Sequence, residues 1–288
     1  MGYISDALRI LPLFLPGGLK PAAVYDILST HNVLGEKSLY LNLGYWEGGE
    51  KTYDEACEKL ALKLGQAARL GPGLDLLDVG FGFADQDMFW AEKFGLRKIV
   101  GLNITASQVH KARERVRERG LADRIELLRG SATEMPMPDG TFDRVTALET
   151  AFHYNTRADF FREAYRVLRR GGRLATADVI PMPAKGFSLE LSLGMYFVRS
   201  FWQIPLANMY TRSVYHRKLE EAGFTHIEIR SIRDYVYAPL VSFLGKRLYE
   251  PDIKQRVDPL FLAACRRSIL HTDGWRAFDY IIATADKA

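Results

Sequence analysis

Cysteine is scarce in this chain of 288 residues, which contains only Cys57 and Cys265. The two lie far apart, and neither stands at the spacing of a zinc or iron–sulfur ligand set. Four histidines also lack ligand spacing with acids or cysteines: His110, His216, His226 and His271. We therefore expect no metal site, and reduced thiols in a cytoplasmic protein, although two cysteines can also pair.

Long hydrophobic runs are missing as well. The most apolar stretch near the N-terminus, ALRILPLFLPGGL, is interrupted by Arg9, Pro12 and Pro16. It is shorter than the ~20 residues that a bilayer span needs, and it does not have the shape of a signal peptide. We expect it either to pack on the protein as a helix or to make peripheral contact with a membrane surface.

The chain also lacks a concentrated charge of one sign. Its formal net charge is +4, and in its densest basic run, HKARERVRERG, Glu114 and Glu118 alternate with the basic residues. Nucleic-acid-binding proteins usually carry a basic face. This run is typical of a solvated helix, so we expect no nucleic-acid partner.

What the sequence does contain is an alternation of short apolar runs and amphipathic segments from residue 74 onward. Apolar residues make up 48% of the chain, enough for a sizeable core. The predicted elements are strand 74–79, helix 84–94, strand 97–102, helix 105–119, strand 125–129, strand 142–149, helix 157–169, strand 172–180, helix 211–222, strand 225–232 and a last strand, AFDYIIATAD. This order predicts an α/β fold with a mostly parallel sheet and helices on both faces.

Three segments depart from the alternation and predict additions to this core. Residues 1–72 indicate an N-terminal helical cap, and the aromatic residues 181–210 indicate a helical lid. The core is then formed by residues 73–180 and 211–288, with a helical insertion at about 238–272. Such insertions commonly cover the C-terminal edge of the sheet, where ligands bind.

The stretch LLDVGFGFADQD carries the first functional signal. Gly80 and Gly82 follow a strand and open a helix, whose N-terminus favours negative charge, and Ala84 stands where a third glycine is often found. Such a loop binds a dinucleotide or an adenosyl cofactor, or is a tight turn without a ligand. Asp78 favours the adenosyl cofactor, because dinucleotide loops usually have an apolar residue there. Its carboxylate could help to hold the cationic end of S-adenosylmethionine through water.

Five segments, in order over roughly 110 residues, resemble the class I S-adenosylmethionine-dependent methyltransferases. They are LLDVGFGFAD, VGLNITASQV, IELLRGSATEMPMPDGTFDRV, ALETAFHY and FFREAYRVLRRGGRLATADVI. The chain is especially similar to bacterial natural-product O-methyltransferases and to sterol and tocopherol C-methyltransferases. The resemblance implies a seven-stranded sheet of order 3-2-1-4-5-7-6 with a helical lid. It also implies S-adenosylmethionine as the cofactor and S-adenosylhomocysteine as the product.

The resemblance assigns the cofactor contacts to Asp78, Gly80, Gly82, Asn103, Ile104, Gln108, Ser131, Ala132, Glu149, Tyr40 and Tyr45. Asn103 stands where an acid usually faces the ribose hydroxyls, and Ser131 where an acid usually accepts a hydrogen bond from the adenine amino group. Both keep an acceptor oxygen but lose the charge. Ile104 is expected to pack on the adenine. The segment YLNLGYW, residues 40–46, is expected to fold over the methionine end, although it could also be a packed aromatic turn.

Three residues near strand ends are the candidates for catalysis. A hydroxyl acceptor must lose a proton, so a general base is useful. In related O-methyltransferases a histidine at the position of His153 pairs with an acid at the position of Asp178, which would fix its tautomer. Glu149 would instead reach towards the cofactor or, in a C-methyltransferase, accept a proton from a carbocation or stabilise it. A structural role for His153 and a capping role for Asp178 are the alternatives.

The predicted lid is the only sequence region that bears on the acceptor. Its aromatic density suits a hydrophobic small molecule, although many of its aromatic residues must form the lid's own core. The expected acceptor contacts are Tyr196, Arg199, Trp202 and Tyr210. The sequence thus predicts O-methylation with His153 as base. The alternatives are C-methylation of an isoprenoid or aromatic acceptor, and a relative that binds an adenosyl ligand or a lipid without turnover.

Overall fold

The computed structural model describes residues 35–183, 195–196, 198–200, 202–256, 259, 262–263, 266 and 273–288. The membrane contact predicted for the apolar N-terminal stretch therefore lies outside the described residues, as do residues 184–194 of the predicted lid. Among the described helices, none has both the length and the apolar character that a bilayer span requires.

Seven strands form one sheet whose order, β3-β2-β1-β4-β5-β7-β6, confirms the prediction. The strands are β1 (Asp75–Val79), β2 (Lys98–Asn103), β3 (Ile125–Arg129), β4 (Phe142–Leu148), β5 (Leu168–Pro181), β6 (Thr225–Ser231) and β7 (Phe278–Asp286). The first five are parallel, and β7 runs antiparallel between β5 and β6. Because β1, β2, β3 and β4 are parallel, the residues that follow them meet at one edge of the sheet.

The helices cover both faces of this sheet. They are α1 (Tyr53–Ala67), α2 (Asp85–Phe94), α3 (Ala106–Glu118), α4 (Arg157–Val167), α5 (Arg212–Glu221), α6 (Tyr237–Arg247) and α7 (Pro251–Arg256). Short 3-10 turns lie at Ala151–His153, Leu206–Asn208, Arg233–Tyr235 and Asp273–Ala277. Helix α4 ends two residues before the predicted boundary, because Leu168 already pairs with Phe142 of β4 and begins β5.

Apolar side chains form a core on each side of the sheet. Successive residues of β1 point to opposite faces, so Leu76 joins the cluster beneath α1 and α2, and Leu77 joins the cluster beneath α4. Both side chains are fully buried. Near-continuous burial along β1 and β5 is what a sheet covered on both faces requires.

Candidate active site

The glycine loop after β1 adopts the left-handed backbone conformations that its sequence predicts. Gly80 has a φ of +83°, and a Cβ atom added there would lie 2.2 Å from the Thr150 hydroxyl oxygen. Ala84 takes the left-handed conformation as well, with a φ of +64°, immediately before α2 begins. For a residue with a side chain this conformation costs about 1 kcal/mol. The loop therefore keeps its shape without the third glycine.

A cavity of about 400 Å³ lies at the C-terminal edge of the sheet, in front of this loop. Its lining comes from the ends of β1, β2, β3 and β4 and from the chain that precedes α1. Of the predicted cofactor contacts, it includes Tyr40, Gly80, Gly82, Asn103, Ile104, Gln108, Ser131, Ala132 and Glu149. The volume lies within the usual range for small-molecule and cofactor sites, 300–1,000 Å³. The structure thus brings most of the predicted contacts to one place.

The residues at the end of β2 and just after it form a hydrogen-bonded turn at the cavity. The Asn103 amide nitrogen donates to Gln108 Oε1 at 2.9 Å, and its Oδ1 accepts from the Thr105 amide at 3.3 Å. Ile104 is 65% exposed at the cavity, which is unusual for a large apolar side chain. An adenine ring would cover it. These features fit the cofactor that the sequence predicts.

Ser131, after β3, lines the same cavity and lies beside Thr133. The two hydroxyl oxygens are 3.0 Å apart, and the Thr133 amide donates to Ser131 Oγ at 3.2 Å. Ser131 thus retains a hydroxyl group in place of the more usual carboxylate. Its contact with an adenine amino group stays a prediction.

Asp78 lies behind the cavity and is not part of its lining. Its fully buried carboxylate accepts from Gln86 Nε2 at 3.0 Å and from Thr146 Oγ1 at 2.7 Å, and burial raises its pKa to about 7. Gln86 does line the cavity and thus connects Asp78 to it. Asp87 is also fully buried, and neither of its carboxylate oxygens has a hydrogen-bond partner on another described residue.

The segment of residues 36–46, which we call the strap, forms one wall of the cavity. Tyr40 and Asn42 line it, as predicted for Tyr40, whereas Asn42 was not foreseen. Tyr45 does not line it: its ring stacks on Tyr235, with the centroids 4.8 Å apart, so a contact of Tyr45 with the cofactor stays a prediction. Tyr235 lies after β6, so neighbouring sequence gave no sign of this stacking.

Glu149 ties the strap to the sheet. Its Oε2 accepts from the Leu43 amide at 2.8 Å and from the Tyr280 hydroxyl at 2.7 Å. Burial raises its pKa to about 8, although both of these hydrogen bonds oppose the shift. Its backbone is left-handed, with a φ of +55°. Glu149 therefore lines the cavity, but its described contacts serve the strap.

His153 lies in the 3-10 turn after β4 and lines the cavity beside Tyr154. Burial lowers its pKa to about 3, and the nearby charge of Arg157 lowers it further, whereas a hydrogen bond with the Trp202 backbone opposes the shift. The imidazole is therefore neutral at ordinary pH. The neutral ring can accept a proton, but a pKa this low makes it a weak base in the cofactor-free protein.

Asp178 forms a buried ion pair with Arg157, and its predicted pairing with His153 stays a prediction. Arg157 Nε lies 2.8 Å from Asp178 Oδ2, and both side chains are fully buried. The Tyr215 hydroxyl donates to the same carboxylate oxygen at 3.2 Å, and the Val179 amide donates to Oδ1 at 2.8 Å. Arg157 was not among the predicted site residues, because a charged residue at the start of a helix is usually solvated.

The four predicted acceptor contacts are not among the residues that line the cavity. The Arg199 guanidinium lies 5.7 Å from the centre of the Tyr196 ring. Trp202 packs edge-on against Phe152, and the guanidinium of Arg157 lies 4.9 Å from the centre of the Tyr210 ring. Trp202 and Tyr210 thus surround the turn that carries His153. A role of any of the four in acceptor binding stays a prediction.

Over the part of the chain that the structure describes, histidine, cysteine, aspartate and glutamate side chains do not assemble in groups of three or more that could hold a metal ion.

Comparison with known proteins agrees with this geometry. Residues 77–176 match the family model described as a methyltransferase domain. The erythromycin 3''-O-methyltransferase of Saccharopolyspora erythraea is 37% identical over 270 residues, which cover 91% of this chain and 88% of the relative.

Solved structures show the same fold at lower identity. The cyclopropane synthase MmaA2 from Mycobacterium tuberculosis has a TM-score of 0.76 at 18% identity, covering 91% of this chain and 95% of that chain. The geranyl diphosphate C-methyltransferase of Streptomyces coelicolor A3(2), solved with S-adenosyl-L-homocysteine, has a TM-score of 0.68 at 17% identity, covering 92% and 98%.

A relative at 37% identity that spans nine-tenths of the chain is decisive, and the glycine loop, the sheet order and the cavity agree with it. This chain belongs to the class I S-adenosylmethionine-dependent methyltransferases and acts on small molecules.

Proposed function

We propose that this enzyme O-methylates a hydroxyl group of a hydrophobic small molecule, with His153 as the general base. The observation that carries the proposal is the place of His153, whose imidazole lies in the lining of the cavity that the predicted cofactor contacts share. The relative at 37% identity is an O-methyltransferase, which supports transfer to oxygen. An erythromycin-type compound with a free 3''-hydroxyl group is accordingly the first acceptor to test.

S-adenosylmethionine, when bound, supplies the methyl group. The protein's own residues have three tasks around it. The strap and the residues after β2 and β3 bind and orient the cofactor, and the turn after β4 holds His153 at the same cavity. The imidazole then takes the proton that the acceptor hydroxyl releases as its oxygen is methylated.

C-methylation with Glu149 as base has less support from the site. The hydrogen bonds from the Leu43 amide and the Tyr280 hydroxyl both fall on Glu149 Oε2, and together they hold the strap against the sheet. The carboxyl group of Glu149 therefore already serves to hold the strap.

A labelling experiment decides between O-methylation and C-methylation. We expect protein incubated with methyl-labelled cofactor and a panel of hydroxylated, phenolic and isoprenoid acceptors to place the label on oxygen. Label on carbon would overturn the proposal.

His153→Ala tests the assigned base. We expect the rate of methyl transfer to fall 10²–10⁴-fold, the usual contribution of a general base, while the affinity for S-adenosylmethionine stays within about threefold. His110→Ala is the matched control, because the His110 side chain is 78% exposed on α3 and is not part of the cavity lining. Full turnover by His153→Ala would remove His153 from the mechanism.

A further inference from the structure

Asn208 is a fully buried amide in the 3-10 turn Leu206–Asn208, before α5. Its Nδ2 donates to the carbonyl of Phe152 at 3.0 Å and to the carbonyl of Tyr154 at 2.7 Å. These are the residues immediately before and after His153. A single side-chain amide thus holds the backbone on both sides of the assigned base.

Two further polar atoms of Asn208, the side-chain oxygen and the backbone carbonyl, are bonded to Arg157. Asn208 Oδ1 accepts from the Arg157 amide at 2.9 Å, and the Asn208 carbonyl accepts from Arg157 Nη1 at 2.9 Å. Arg157 is fixed in turn by its ion pair with Asp178 on β5 and by a bond from Nη2 to the Val179 carbonyl at 3.1 Å. Asn208 is therefore anchored to the sheet through a buried charge pair.

Among side chains of this size, only a primary amide can donate to two carbonyls and accept from a backbone amide. It offers two donors and an acceptor on one planar group, whereas a carboxylate offers acceptors alone and an aliphatic side chain offers neither. The His153 turn is one 3-10 turn long, so its outer carbonyls need donors from elsewhere. Buried carbonyls that lose such a donor cost about 1–3 kcal/mol each, which favours a shift of the turn.

We propose that Asn208 is a positioning residue, which sets the place and orientation of the His153 imidazole. It does so by connecting the turn that carries His153 to the buried Arg157–Asp178 ion pair. This inference rests on the proposed function for the identity of the base. The turn that carries His153 is thus held by a residue before α5, which is anchored in turn by the Arg157–Asp178 ion pair.

The first test observes the imidazole directly. The chain has six histidines, so ring-nitrogen NMR of histidine-labelled protein saturated with S-adenosylhomocysteine gives few signals, and His153→Gln identifies that of His153. We expect Asn208→Asp to shift or broaden the His153 signal and leave the others in place. Leu206→Ala is the matched control, because Leu206 lies in the same turn and is 74% exposed. Asn208→Ser, which keeps a small polar side chain, is measured in parallel as a variant with a milder effect on folding.

The second test is a double-mutant cycle on the rate of methyl transfer. We expect Asn208→Asp or Asn208→Ser to lower kcat at least tenfold with little change in KM for the cofactor. The same substitution should have no further effect in a His153→Ala background, because interacting residues are not additive. An equal loss in both backgrounds, or an unmoved His153 signal in a folded variant, would overturn the proposal. Full turnover by His153→Ala would instead refute the base, and the NMR result would still decide whether Asn208 positions the ring.

Discussion

At the scale of single residues, the carboxyl groups of Asp78 and Asp87 behind the glycine loop are costly to ionise. Both are fully buried, and the charge of Asp78 adds to desolvation in raising the pKa of Asp87. Asp85, which also raises that pKa, pairs with Arg115 at 2.6 Å. Ionising these two carboxyl groups is therefore unfavourable in the cofactor-free protein. The positive charge of S-adenosylmethionine in the neighbouring cavity would offset part of this cost.

This cost predicts a pH-dependent gain in stability for Asp87→Asn. An acid whose pKa is raised by folding stabilises the folded state below its unfolded pKa, and that contribution is lost as pH rises through the folded pKa. For Asp78 this pH window runs from its ordinary pKa of 3.8 to its folded-state pKa of about 7, and the pKa of Asp87 is raised as well. We expect Asp87→Asn to raise the free energy of unfolding by about 1–3 kcal/mol at pH 8 and by less at pH 5.

Urea unfolding of the cofactor-free protein at the two pH values measures this effect. Asp123→Asn is the control, because Asp123 is exposed, and it should leave the difference between the two pH values unchanged. A gain for Asp87→Asn that is the same at pH 5 and pH 8 would contradict the expectation. A loss of stability at pH 8 would mean that the carboxylate has a partner that stabilises its charge.

At the scale of elements, the strap is held by carboxylates from three parts of the chain. Asp54 of α1 accepts from the amides of Glu36 and Lys37 at 2.8 and 2.9 Å, and Asp85 of α2 accepts from the Leu39 amide at 3.2 Å. Glu149, after β4, accepts from the Leu43 amide. Because the strap lines the cavity between these last two bonds, they fix the wall against which the cofactor binds.

Substitutions of Glu149 test whether its hydrogen bond to the strap matters for cofactor binding. With a pKa of about 8 its carboxyl group is mostly protonated at pH 7, and both bonds fall on Oε2, which leaves Oε1 for the proton. We expect Glu149→Gln to keep S-adenosylmethionine affinity within about threefold, and Glu149→Ala to weaken it about tenfold, the loss of roughly one such hydrogen bond. Calorimetry measures both. Equal affinities for the two variants would show that the bond to Leu43 does not matter for binding.

The elements also show where sequence analysis succeeds and where it stops. The alternation of strands and helices predicted every strand to within a few residues, and the parallel sheet brought Gly80, Asn103 and Ser131 to one edge. The partner of Asp178 was not predictable in the same way. His153 and Arg157 lie four residues apart in the chain after β4, and only packing decides which of them reaches the acid. Tyr45 shows the same limit, since its stacking partner is distant in sequence.

At the scale of the whole molecule, cofactor binding depends on folding, because the cavity exists only in the folded protein. The cavity takes its walls from four strand ends and the strap, so unfolding destroys every contact at once. A ligand that binds only the folded state adds about 2.7 kcal/mol at a hundredfold excess over its Kd. We expect S-adenosylmethionine and S-adenosylhomocysteine to raise the melting temperature by several degrees at that excess. NADH at the same concentration should leave it unchanged, and a rise with NADH would refute the assignment of the loop.

The position of β7 has a consequence for how the molecule is made. Of the seven strands, β7 is the last to be synthesised, yet it lies between β5 and β6 and pairs with both. Until it emerges from the ribosome, β5 has an open edge from Arg173 to Pro181, and β6 has no neighbour in the sheet. The sheet therefore closes in a late step, after β7 itself has been synthesised and released from the ribosome.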